Sequence, residues 1–371
     1  DINEKCKNFK RDTREIENGD VYIALKGERF DGNDFYLDAI NRGAKTCILS
    51  KDVKPHKDVN IIKVEDTTKA LQDIAKYKRS LYDIPVVAVT GSVGKTSTKD
   101  LIASVVSQGY NTLKTQGNLN NTIGLPLTVL ALKDEEAMVV EMGMNQFGEI
   151  SKLTNIAKPT IAAITNIGTA HIGNLGSREN ILKAKLEILE GLQGNTVIIN
   201  NDNDLLHKWA TENENKYNII TYGIENESNF MAKDIKLFEN KSEFHYKDKL
   251  VEVPVGGEHF ILNSLCAIAV GNALKIPLEK IINGIANFEL SKKRMEMNTS
   301  KEGAIVINDT YNANYDSMKA AIKYLKEIKN RRKIAILGDM LELGDYSKEL
   351  HKKVGEEIDN NIDILITVGK E

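Results

Sequence analysis

The feature that most constrains the fold is an apolar segment followed at once by a glycine loop and a helical pattern. Residues 86–90 form an unbroken apolar run, and residues 95–108 have helical periodicity. The loop between them reads Gly91-Ser92-Val93-Gly94-Lys95-Thr96-Ser97. This order directs backbone N–H groups and a helix N-terminus at phosphate oxygens. It therefore predicts a phosphate-binding P-loop, and the alternative is a glycine turn with an incidental lysine.

Within the loop, we expect Lys95 to pair with the β- and γ-phosphates of a nucleotide and the Thr96 hydroxyl to ligate Mg²⁺. Position 89 holds valine where the longer motif has glycine, so the match is to the shorter G-x-x-G-K-T form. The predicted nucleotide-binding residues of the loop are Gly91, Ser92, Val93, Gly94, Lys95, Thr96 and Ser97.

Apolar strands that alternate with helices continue after the loop, as in a parallel sheet covered on both faces. Candidate strands are residues 138–142, 160–165 and 196–200, with helices at 148–157 and 177–192. Residues 229–255 alternate in short runs, which indicates a small antiparallel excursion. Residues 258–274 then predict a helix that returns to the sheet.

Two further units flank this one, and both are α/β in pattern. The first has strand-like runs at 21–25 and 46–49 and a helix at 67–81, and Pro85 cannot continue that helix. The last has strands at 304–308, 333–337 and 363–368 and helices at 315–328 and 347–358. The predicted fold is α/β with three domains: a small N-terminal α/β domain (1–83), a central P-loop ATPase domain with a mostly parallel sheet (84–292), and a C-terminal domain (293–371).

Composition excludes several classes of protein. The 50 basic and 53 acidic residues give a net charge of -3, which argues against a general nucleic-acid or membrane-surface binder. The cysteines at 6, 47 and 266 are odd in number and widely spaced, so we expect a reducing cytoplasm rather than a disulfide framework or zinc site. No apolar run reaches the roughly 18 residues that span a bilayer. Because the sequence opens without Met and stops just after a predicted strand, we expect residues to be missing at both ends, the larger loss at the C-terminus.

An acidic residue, Glu141, lies near the end of the predicted strand at 138–142. Ligands of open α/β sheets bind at the carboxyl ends of the strands. A cation bound to phosphates usually also takes one or two carboxylates. Glu141 is therefore a candidate metal ligand, and the alternative is a strand-end glutamate that faces solvent.

Two further residues, Lys185 and His171, are candidates for the site, and each has an alternative interpretation. Lys185 shares a helix face with Leu182, Leu186 and Leu189, so it is either a snorkelling lysine or a functional amine directed into the site. His171 follows the strand at 160–165 at its carboxyl end. A lone histidine is more often a polar surface residue than a ligand, and both interpretations stay open here.

These pieces, in this order, resemble the Mur ligase family over essentially the whole chain. The motifs that carry the resemblance are residues 90–97, 117–128, 141–143, 165–171, 183–188, 257–259, 294–296, 308–314 and 337–344. Two of them, Tyr311-Asn312-Ala313-Asn314 and Leu337-Gly338-Asp339-Met340-Leu341-Glu342-Leu343-Gly344, resemble the branch that adds D-alanyl-D-alanine. Residues 12–14 and 24–32 resemble that branch's uridine-nucleotide domain.

The resemblance implies a domain for a UDP-sugar peptide, a central ATPase and a C-terminal Rossmann-like lid, here incomplete. It implies ATP and two Mg²⁺ ions, one at Thr96 and Glu141 and the second involving His171. It also implies that CO₂ carbamylates Lys185, which turns a cation into a carboxylate-like ligand. Arg294 would touch the γ-phosphate, Asp309 the ribose or phosphate region and Asn263 the adenine. The residues assigned to catalysis are Lys95, His171, Lys185 and Arg294.

The implied substrates are UDP-N-acetylmuramoyl-tripeptide and D-Ala-D-Ala, which a cytoplasmic monomer without membrane insertion would join through an acyl phosphate. The residues assigned to these substrates are Arg14, Asn118, Asn120, Asn121, Thr122, Tyr311, Asn312 and Asn314. Two positions depart from the family: Phe260 stands where relatives often have Asn, and Tyr315 where Pro is common. The alternatives are a ligase for another amino acid, a folylpolyglutamate-synthase-like enzyme, a regulatory module that binds ATP without ligating anything, and an inactive binding remnant.

Overall fold

The N-terminal unit is a small parallel sheet with helices. The computed structural model describes residues 7–371, so Cys6, one of the three cysteines considered in the sequence analysis, lies outside the described part. The four strands of the N-terminal unit pair in parallel in the order β1-β2-β3-β4. Helix α1 follows β2, and helix α2 follows β4. Their bounds are β1 Phe9–Lys10, β2 Val21–Ile23, α1 Tyr36–Asn41, β3 Thr46–Leu49, β4 Asn60–Lys63 and α2 Thr67–Ser80.

The central unit is built on a seven-stranded sheet in which every neighbouring pair is parallel. The strand order is β11-β10-β9-β8-β5-β7-β6. The strands are β5 Val86–Thr90, β6 Thr112–Lys114, β7 Ala137–Glu141, β8 Ile161–Ile164, β9 Thr196–Asn200, β10 Asn218–Gly223 and β11 Phe230–Met231. The helices are α3 Lys95–Val106, α4 Gly124–Leu130, α5 Glu149–Ala157, α6 Ile172–Leu175, α7 Arg178–Leu186, α8 Asp204–Asn213, α9 Glu258–Ala273 and α10 Leu278–Ala286.

Helices cover both faces of this sheet, which is why its inner strands are apolar on both sides. Strands β5 and β7 are buried at every residue, and β5 alternates between the two cores: Val87 and Val89 pack under α3 and α9, and Val86 and Ala88 on the other face. A three-stranded antiparallel sheet packs against the apolar core under α3 and α9. It consists of β12 Lys233–Leu237, β13 Ser242–Tyr246 and β14 Lys249–Val253. The antiparallel excursion expected near residues 229–255 is thus present.

The sheet register places acidic and polar side chains beside the phosphate loop. Strand β5 lies between β7 and β8, so the chain crosses over β5 to pass from β7 to β8. Val89 pairs with Glu141 and Thr90 with Ile164, so the ends of three strands meet at one edge. This is the switch point at which open α/β sheets bind ligands.

The C-terminal unit contains an antiparallel strand pair, a parallel strand pair, two α-helices and a 3-10 turn, Gly344–Tyr346. Its elements are β15 Glu296–Thr299, β16 Ile305–Asn308, α11 Tyr315–Glu327, β17 Ile334–Gly338, α12 Ser347–Glu356 and β18 Ile364–Val368. Met318, Met340 and Leu343 bury themselves in the same apolar cluster as Ile172 and Leu175 of the central unit. The C-terminal unit is therefore packed directly against the central one.

The predicted mixed α/β fold with mostly parallel sheets is confirmed. One detail of the sequence analysis is wrong: the helix expected at 177–192 ends at Leu186 and continues as a 3-10 turn, Glu187–Gly191. The buried face of this segment consists of Ile181, Ala184, Lys185 and Ile188, whereas the leucine stripe expected from the sequence is only partly buried. Within residues 7–371, no helix has the length and apolar character needed to cross a membrane.

Candidate active site

A cavity of about 370 Å³ opens where the carboxyl edge of the central sheet faces the C-terminal unit. The central unit supplies the phosphate loop, the 120–122 loop and the segments after β7 and β8. The C-terminal unit supplies residues around position 294, the 309–314 loop and the first turns of α11. The site residues predicted from the sequence that line this cavity are Ser92, Val93, Gly94, Lys95, Thr96, Ser97, Asn120, Asn121, Thr122, Glu141, His171, Asn263, Arg294, Asp309, Tyr311, Asn312 and Asn314.

The phosphate loop has the backbone that its glycines predict. Gly94 has φ 78° and caps α3, and Gly91, with φ 153°, has no room for a Cβ because Thr165 Oγ1 lies there. Lys95 Nζ donates to the carbonyls of Gly91 (2.9 Å) and Ser92 (3.2 Å). Its ammonium therefore lies over the loop itself, where phosphate oxygens bind in proteins of this type.

Burial is the largest cause of a lowered pKa of Lys95; Glu141 opposes the shift and Arg294 reinforces it. All three groups thus share one electrostatic environment. Thr96 is buried on the first turn of α3, two residues after the αL glycine. The loop prediction from the sequence agrees with this geometry.

Glu141 is buried, 2% exposed, so the alternative of a solvent-facing glutamate is wrong. Its Oε1 accepts a hydrogen bond from Asn120 Nδ2 at 2.8 Å. Its Oε2 is buried and has no hydrogen-bond partner among the described residues. A buried carboxylate oxygen without a partner is costly, and a cation is the partner that would offset that cost.

His171 is the N-cap residue of the short helix α6 and lies in the left-handed region, with φ 64°. Its Nδ1 lies 2.7 Å from Glu342 Oε2 of the C-terminal unit, in an orientation that does not satisfy a hydrogen bond. Burial, followed by the positive charges of Lys95 and Lys185, lowers the pKa of His171 against the opposing effect of Glu342. A neutral imidazole nitrogen facing the cavity is the form that ligates a cation.

Lys185 is 1% exposed, so the snorkelling alternative is wrong. Burial first, and then the charge of Lys95, lower the pKa of Lys185 well below its ordinary value. Lys185 does not line the cavity, but it is close enough to Lys95 and His171 for their charges to interact. Lys183 points outward instead, where its Nζ lies 5.8 Å from the centre of the Phe147 ring.

In the C-terminal unit, Arg294 stacks on Tyr311, with 4.2 Å from the guanidinium carbon to the ring centre. Asp309 Oδ1 accepts from the backbone N–H of Met295 at 3.1 Å. Burial raises the pKa of Asp309, although the Met295 bond and Arg294 oppose this effect. The C-terminal unit thus supplies Arg294 to the cavity lining, close enough to Lys95 for the two charges to interact.

Other predicted residues differ in placement. Asn263 lies against the phosphate loop, since a Cβ on Gly94 would be 3.2 Å from its Oδ1. Phe260 is buried in the core with its ring 4.4 Å from that of His259. Arg14 is exposed on the N-terminal unit and paired with Asp12, and neither it nor the exposed Asn118 lines the cavity.

Asn166 is a site residue to which the sequence analysis assigned no role. Its Oδ1 accepts from the backbone N–H groups of Ser92 (3.0 Å) and Val93 (2.9 Å). Thr165 Oγ1 donates to the Val93 carbonyl, and Gly168 N donates to Ser92 Oγ. The position of Asn166 just after a buried strand is the signal that could have found it.

Two acidic residues were also missed, Glu149 in the cavity lining and Asp316 on α11. No group of three or more His, Cys, Asp or Glu side chains that could hold a metal occurs in residues 7–371. Any cation here would therefore depend on Glu141 and His171 together with donors of other kinds, such as the Thr96 hydroxyl and phosphate oxygens.

The geometry defines a P-loop nucleotide-binding protein whose site is completed by a second α/β unit. Family comparison gives three matches: "Mur ligase family, catalytic domain" at residues 7–79, "Mur ligase middle domain" at 89–271, and "Mur ligase, glutamate ligase domain" at 293–371. The chain belongs to the Mur ligase family, which confirms the resemblance drawn from its motifs.

Named relatives agree with this. The UDP-N-acetylmuramoyl-tripeptide–D-alanyl-D-alanine ligase of Bacillus subtilis is 40% identical over 97% of this chain and 79% of its own length. A crystal structure of MurF from Acinetobacter baumannii is 34% identical with a TM-score of 0.91, covering 98% of this chain and 81% of that one. MurF ligase from Thermotoga maritima in complex with ADP is 31% identical with a TM-score of 0.88, covering 99% and 85%.

Proposed function

We propose that this chain joins D-alanyl-D-alanine to UDP-N-acetylmuramoyl-tripeptide in peptidoglycan precursor synthesis, with ATP converted to ADP and phosphate. The observation that carries the proposal is the single cavity that brings the phosphate loop, Glu141 and the 311–314 loop together. The relatives' names supply the substrates, and the ADP-bound relative supports the nucleotide.

The reaction has two steps. A terminal carboxylate oxygen of the tripeptide attacks the γ-phosphorus of ATP, giving an acyl phosphate and ADP. The amine of D-Ala-D-Ala then attacks the acyl carbon, and the tetrahedral intermediate expels phosphate as the amine loses its proton. Both steps concentrate negative charge, so Lys95 and Arg294, which both line the cavity, stabilise them electrostatically. No protein nucleophile is required.

The donor set fits divalent cations. Among the described residues, the buried Oε2 of Glu141 has no hydrogen-bond partner, Thr96 lies in the first turn of α3, and burial lowers the pKa of His171. We assign one Mg²⁺ to Thr96 and Glu141 and a second to His171 and a modified Lys185. Bound there, such cations would neutralise phosphate charge. The protein's own part is to hold Glu141 through Asn120 and to keep the imidazole uncharged.

We propose that Lys185 is carbamylated, and its burial supports this assignment. An amine whose pKa is well lowered is neutral and nucleophilic, so its nitrogen can add to the carbon of CO₂ and release one proton. The product is an anion beside Lys95 and His171. A Lys185→Ala variant should lose activity and regain part of it with added acetate. Equal activity of this variant and the parent, without acetate, would contradict the assignment.

The remaining expectations belong to the same proposal. We place the domain boundaries at 83/84 and 292/293, and assign Arg14, Asn118, Asn120, Asn121, Thr122, Tyr311, Asn312 and Asn314 to the two substrates. We further propose that the protein acts as a monomer in the cytoplasm, where its ATP and UDP-linked substrate occur. Sedimentation of the purified chain tests the monomer.

The deciding experiment measures phosphate release from ATP with both substrates, with each alone and with neither. Release that requires both, with an amide product of the expected mass, supports the proposal. A regulatory ATP-binding module would release phosphate independently of them, and a ligase for another amino acid would accept a single amino acid in place of D-Ala-D-Ala. Running lysine and diaminopimelate forms of the tripeptide in parallel identifies the third residue of the peptide.

A further inference from the structure

Helix α11 belongs to the C-terminal unit but crosses the nucleotide cavity and touches the central unit at both ends. Ser317, Ala320 and Ala321 on its inner face line the cavity. Its start is fixed by a capping box, in which Asn314 and Ser317 exchange side-chain-to-backbone hydrogen bonds. The position of the helix therefore sets how the two units face each other across the cavity.

At its first turn, Asp316 reaches the central unit. Its Oδ2 accepts two hydrogen bonds from Thr169, one from the backbone N–H at 2.7 Å and one from Oγ1 at 2.9 Å. Gly168 lies so close that a Cβ on it would overlap Oδ2 of Asp316. A charged acceptor with two donors, over a residue that must be glycine, is a specific docking contact.

The segment that Asp316 contacts is also the support of the phosphate loop. Two residues before Gly168, Asn166 accepts from the N–H groups of Ser92 and Val93, and Gly168 N itself donates to Ser92 Oγ at 2.9 Å. Two residues after Thr169 comes His171. A displacement of residues 168–169 would thus reach both the phosphate loop and the imidazole.

At the other end of α11, Tyr324 holds the helix against the residues that precede α9. Its hydroxyl donates to the Glu239 carbonyl, and a Cβ on Gly256 would lie 2.6 Å from its oxygen. Lys323 Nζ pairs with Glu258 Oε1 at 2.8 Å. The far end of the helix is therefore fixed independently of Asp316, and a change at Asp316 affects mainly the phosphate end.

We propose that Asp316 is a positioning residue that ties the C-terminal unit to the support of the phosphate loop, so that the acyl phosphate meets the amine before it meets water. This rests on the proposed ligase reaction and deepens it. Asp316 touches no reacting atom in this assignment. It acts through Thr169 and Gly168, and its loss opens the cavity at the point where the activated carboxyl forms.

The consequence is a change in stoichiometry. When the amine attacks the acyl phosphate, one phosphate leaves for each amide bond made. When water attacks instead, phosphate leaves and the tripeptide carboxylate returns without an amide. The ratio of phosphate released to amide formed is therefore one for a coupled enzyme and rises above one when water competes. Partial loss of folded protein lowers both quantities equally and leaves this ratio unchanged.

The experiment measures phosphate and amide product in the same vessel for Asp316→Ala, Asp316→Asn and Thr169→Val. The matched control is Asp359→Ala, because the side-chain partners of Asp359 in the described structure, Lys326 Nζ and the backbone N–H of Asn361, both at 2.9 Å, belong to its own unit. Removal of a charge-assisted contact should slow amide formation about tenfold in Asp316→Ala and raise the ratio severalfold. Asp316→Asn keeps a carbonyl acceptor and should fall between this variant and the parent. Asp359→Ala should keep the parent's ratio.

A ratio in Asp316→Ala equal to the parent's, however slow the reaction, overturns the inference. Should that variant not fold, Asp316→Asn and Thr169→Val decide the matter by the same ratio. If the parent itself forms no amide from the two substrates, it is the proposed function that fails. The two failures are therefore distinguishable.

Discussion

At the scale of single residues, the chemistry depends on charges that the fold holds close together. Lys95 is kept over the phosphate loop by two carbonyls, and Glu141 offers one buried oxygen that has no hydrogen-bond partner within residues 7–371. Each of these groups affects the pKa of another within the same cavity. Removing one therefore changes phosphoryl transfer more than it changes packing.

Replacing Lys95 with Met keeps the length of the side chain but removes its positive charge. We expect phosphate release with both substrates to fall by about 10²- to 10³-fold, since loss of one electrostatic donor at a transition state typically has this effect. The thermal midpoint should change little, because Lys95 bonds only to its own loop. The exposed Lys183→Met is the control, and similar activity in the two variants would contradict this role.

Replacing Glu141 with Gln preserves the shape and the contact region of Asn120 but removes the negative charge. The Mg²⁺ concentration at half-maximal activity should rise about tenfold or more, since a carboxylate is replaced by a weaker neutral ligand. A titration of activity against Mg²⁺ measures this, with the exposed Glu136→Gln as control. An unchanged Mg²⁺ requirement together with normal activity would remove Glu141 from the cation site.

At the scale of elements, a buried charge network joins helix α3 to the strand before the 116–124 loop and to the linker of the C-terminal unit. Asp100 Oδ1 forms ion pairs with Lys99 Nζ (2.9 Å) and Lys114 Nζ (2.8 Å), and its Oδ2 accepts a hydrogen bond from the Ser291 hydroxyl (2.6 Å). Lys99 also donates to the Thr115 carbonyl, and Thr115 Oγ1 accepts from the backbone N–H of Glu141. The phosphate-loop helix and the strand of the acidic ligand are thereby braced together.

Replacing Asp100 with Asn leaves the buried Lys99 without its anion, so we expect the central unit to lose about 3 kcal/mol or more of unfolding free energy. Burial tends to raise the pKa of Asp100, but Lys99, Lys114 and Ser291 outweigh burial and hold that pKa below its ordinary value. The stabilisation is thus fully present above the unfolded-state pKa of about 4 and is lost as the pH falls through the folded-state pKa.

Urea unfolding of the parent and Asp100→Asn at several pH values measures this difference, with the exposed Asp134→Asn as control. The gap between the two proteins should be largest above about pH 5 and should shrink as the pH falls. A gap that grows on acidification would mean that Asp100 is protonated in the folded chain.

Sequence periodicity predicted most elements of the central unit because the inner strands of its sheet are buried on both faces and appear in the sequence as apolar runs. Residues 86–90, 46–49 and 196–200 are strands with the bounds expected. The leucine stripe was the wrong choice of buried face, because residues 181, 184, 185 and 188 repeat the same helical spacing one position earlier and are the buried ones. The contact of Asp316 with Thr169 spans 147 positions, and no local pattern encodes such a contact.

In the site, too, local sequence patterns predicted some residues, whereas residues that act through distant contacts were missed. The phosphate loop and Glu141 were predictable because strand ends and glycine spacing are local features. The helical pattern around Lys185 was compatible both with a snorkelling lysine and with a buried amine, and the structure shows that the side chain is buried. Asn166 was missed since its function is to accept from backbone N–H groups 73 and 74 positions away, which sequence spacing does not reveal.

At the scale of the whole molecule, the central unit is fixed to its neighbours in two different ways. Helix α2 of the N-terminal unit packs on α4, and Gln72 Nε2 donates to the Thr122 carbonyl of the 116–124 loop at 3.0 Å. That interface is continuous with a buried apolar cluster around Leu71. The C-terminal unit, in contrast, both packs against the central one in an apolar cluster and lines the cavity, so its attachment should respond to what the cavity binds.

Nucleotide binding should therefore stabilise the two units that line the cavity and leave the first unit unaffected. A ligand at 100 times its Kd adds about 2.7 kcal/mol to the state that binds it. With ADP and Mg²⁺, amide hydrogen exchange should slow in residues 91–97 and also in 166–176 and 315–324, because α11 closes the same cavity. Exchange in β1 to β4 should stay unchanged and serves as the internal control.

The Asp316→Ala variant makes this measurement a test of the connection between the units. Since Asp316 is the acceptor that holds residues 168–169, its loss should leave the slowing at 91–97 and weaken it at 166–176 and 315–324. Slowing confined to residues 91–97 in the parent protein would mean that the C-terminal unit does not take part in nucleotide binding. Equal slowing in parent and variant would mean that the units close over the nucleotide without Asp316.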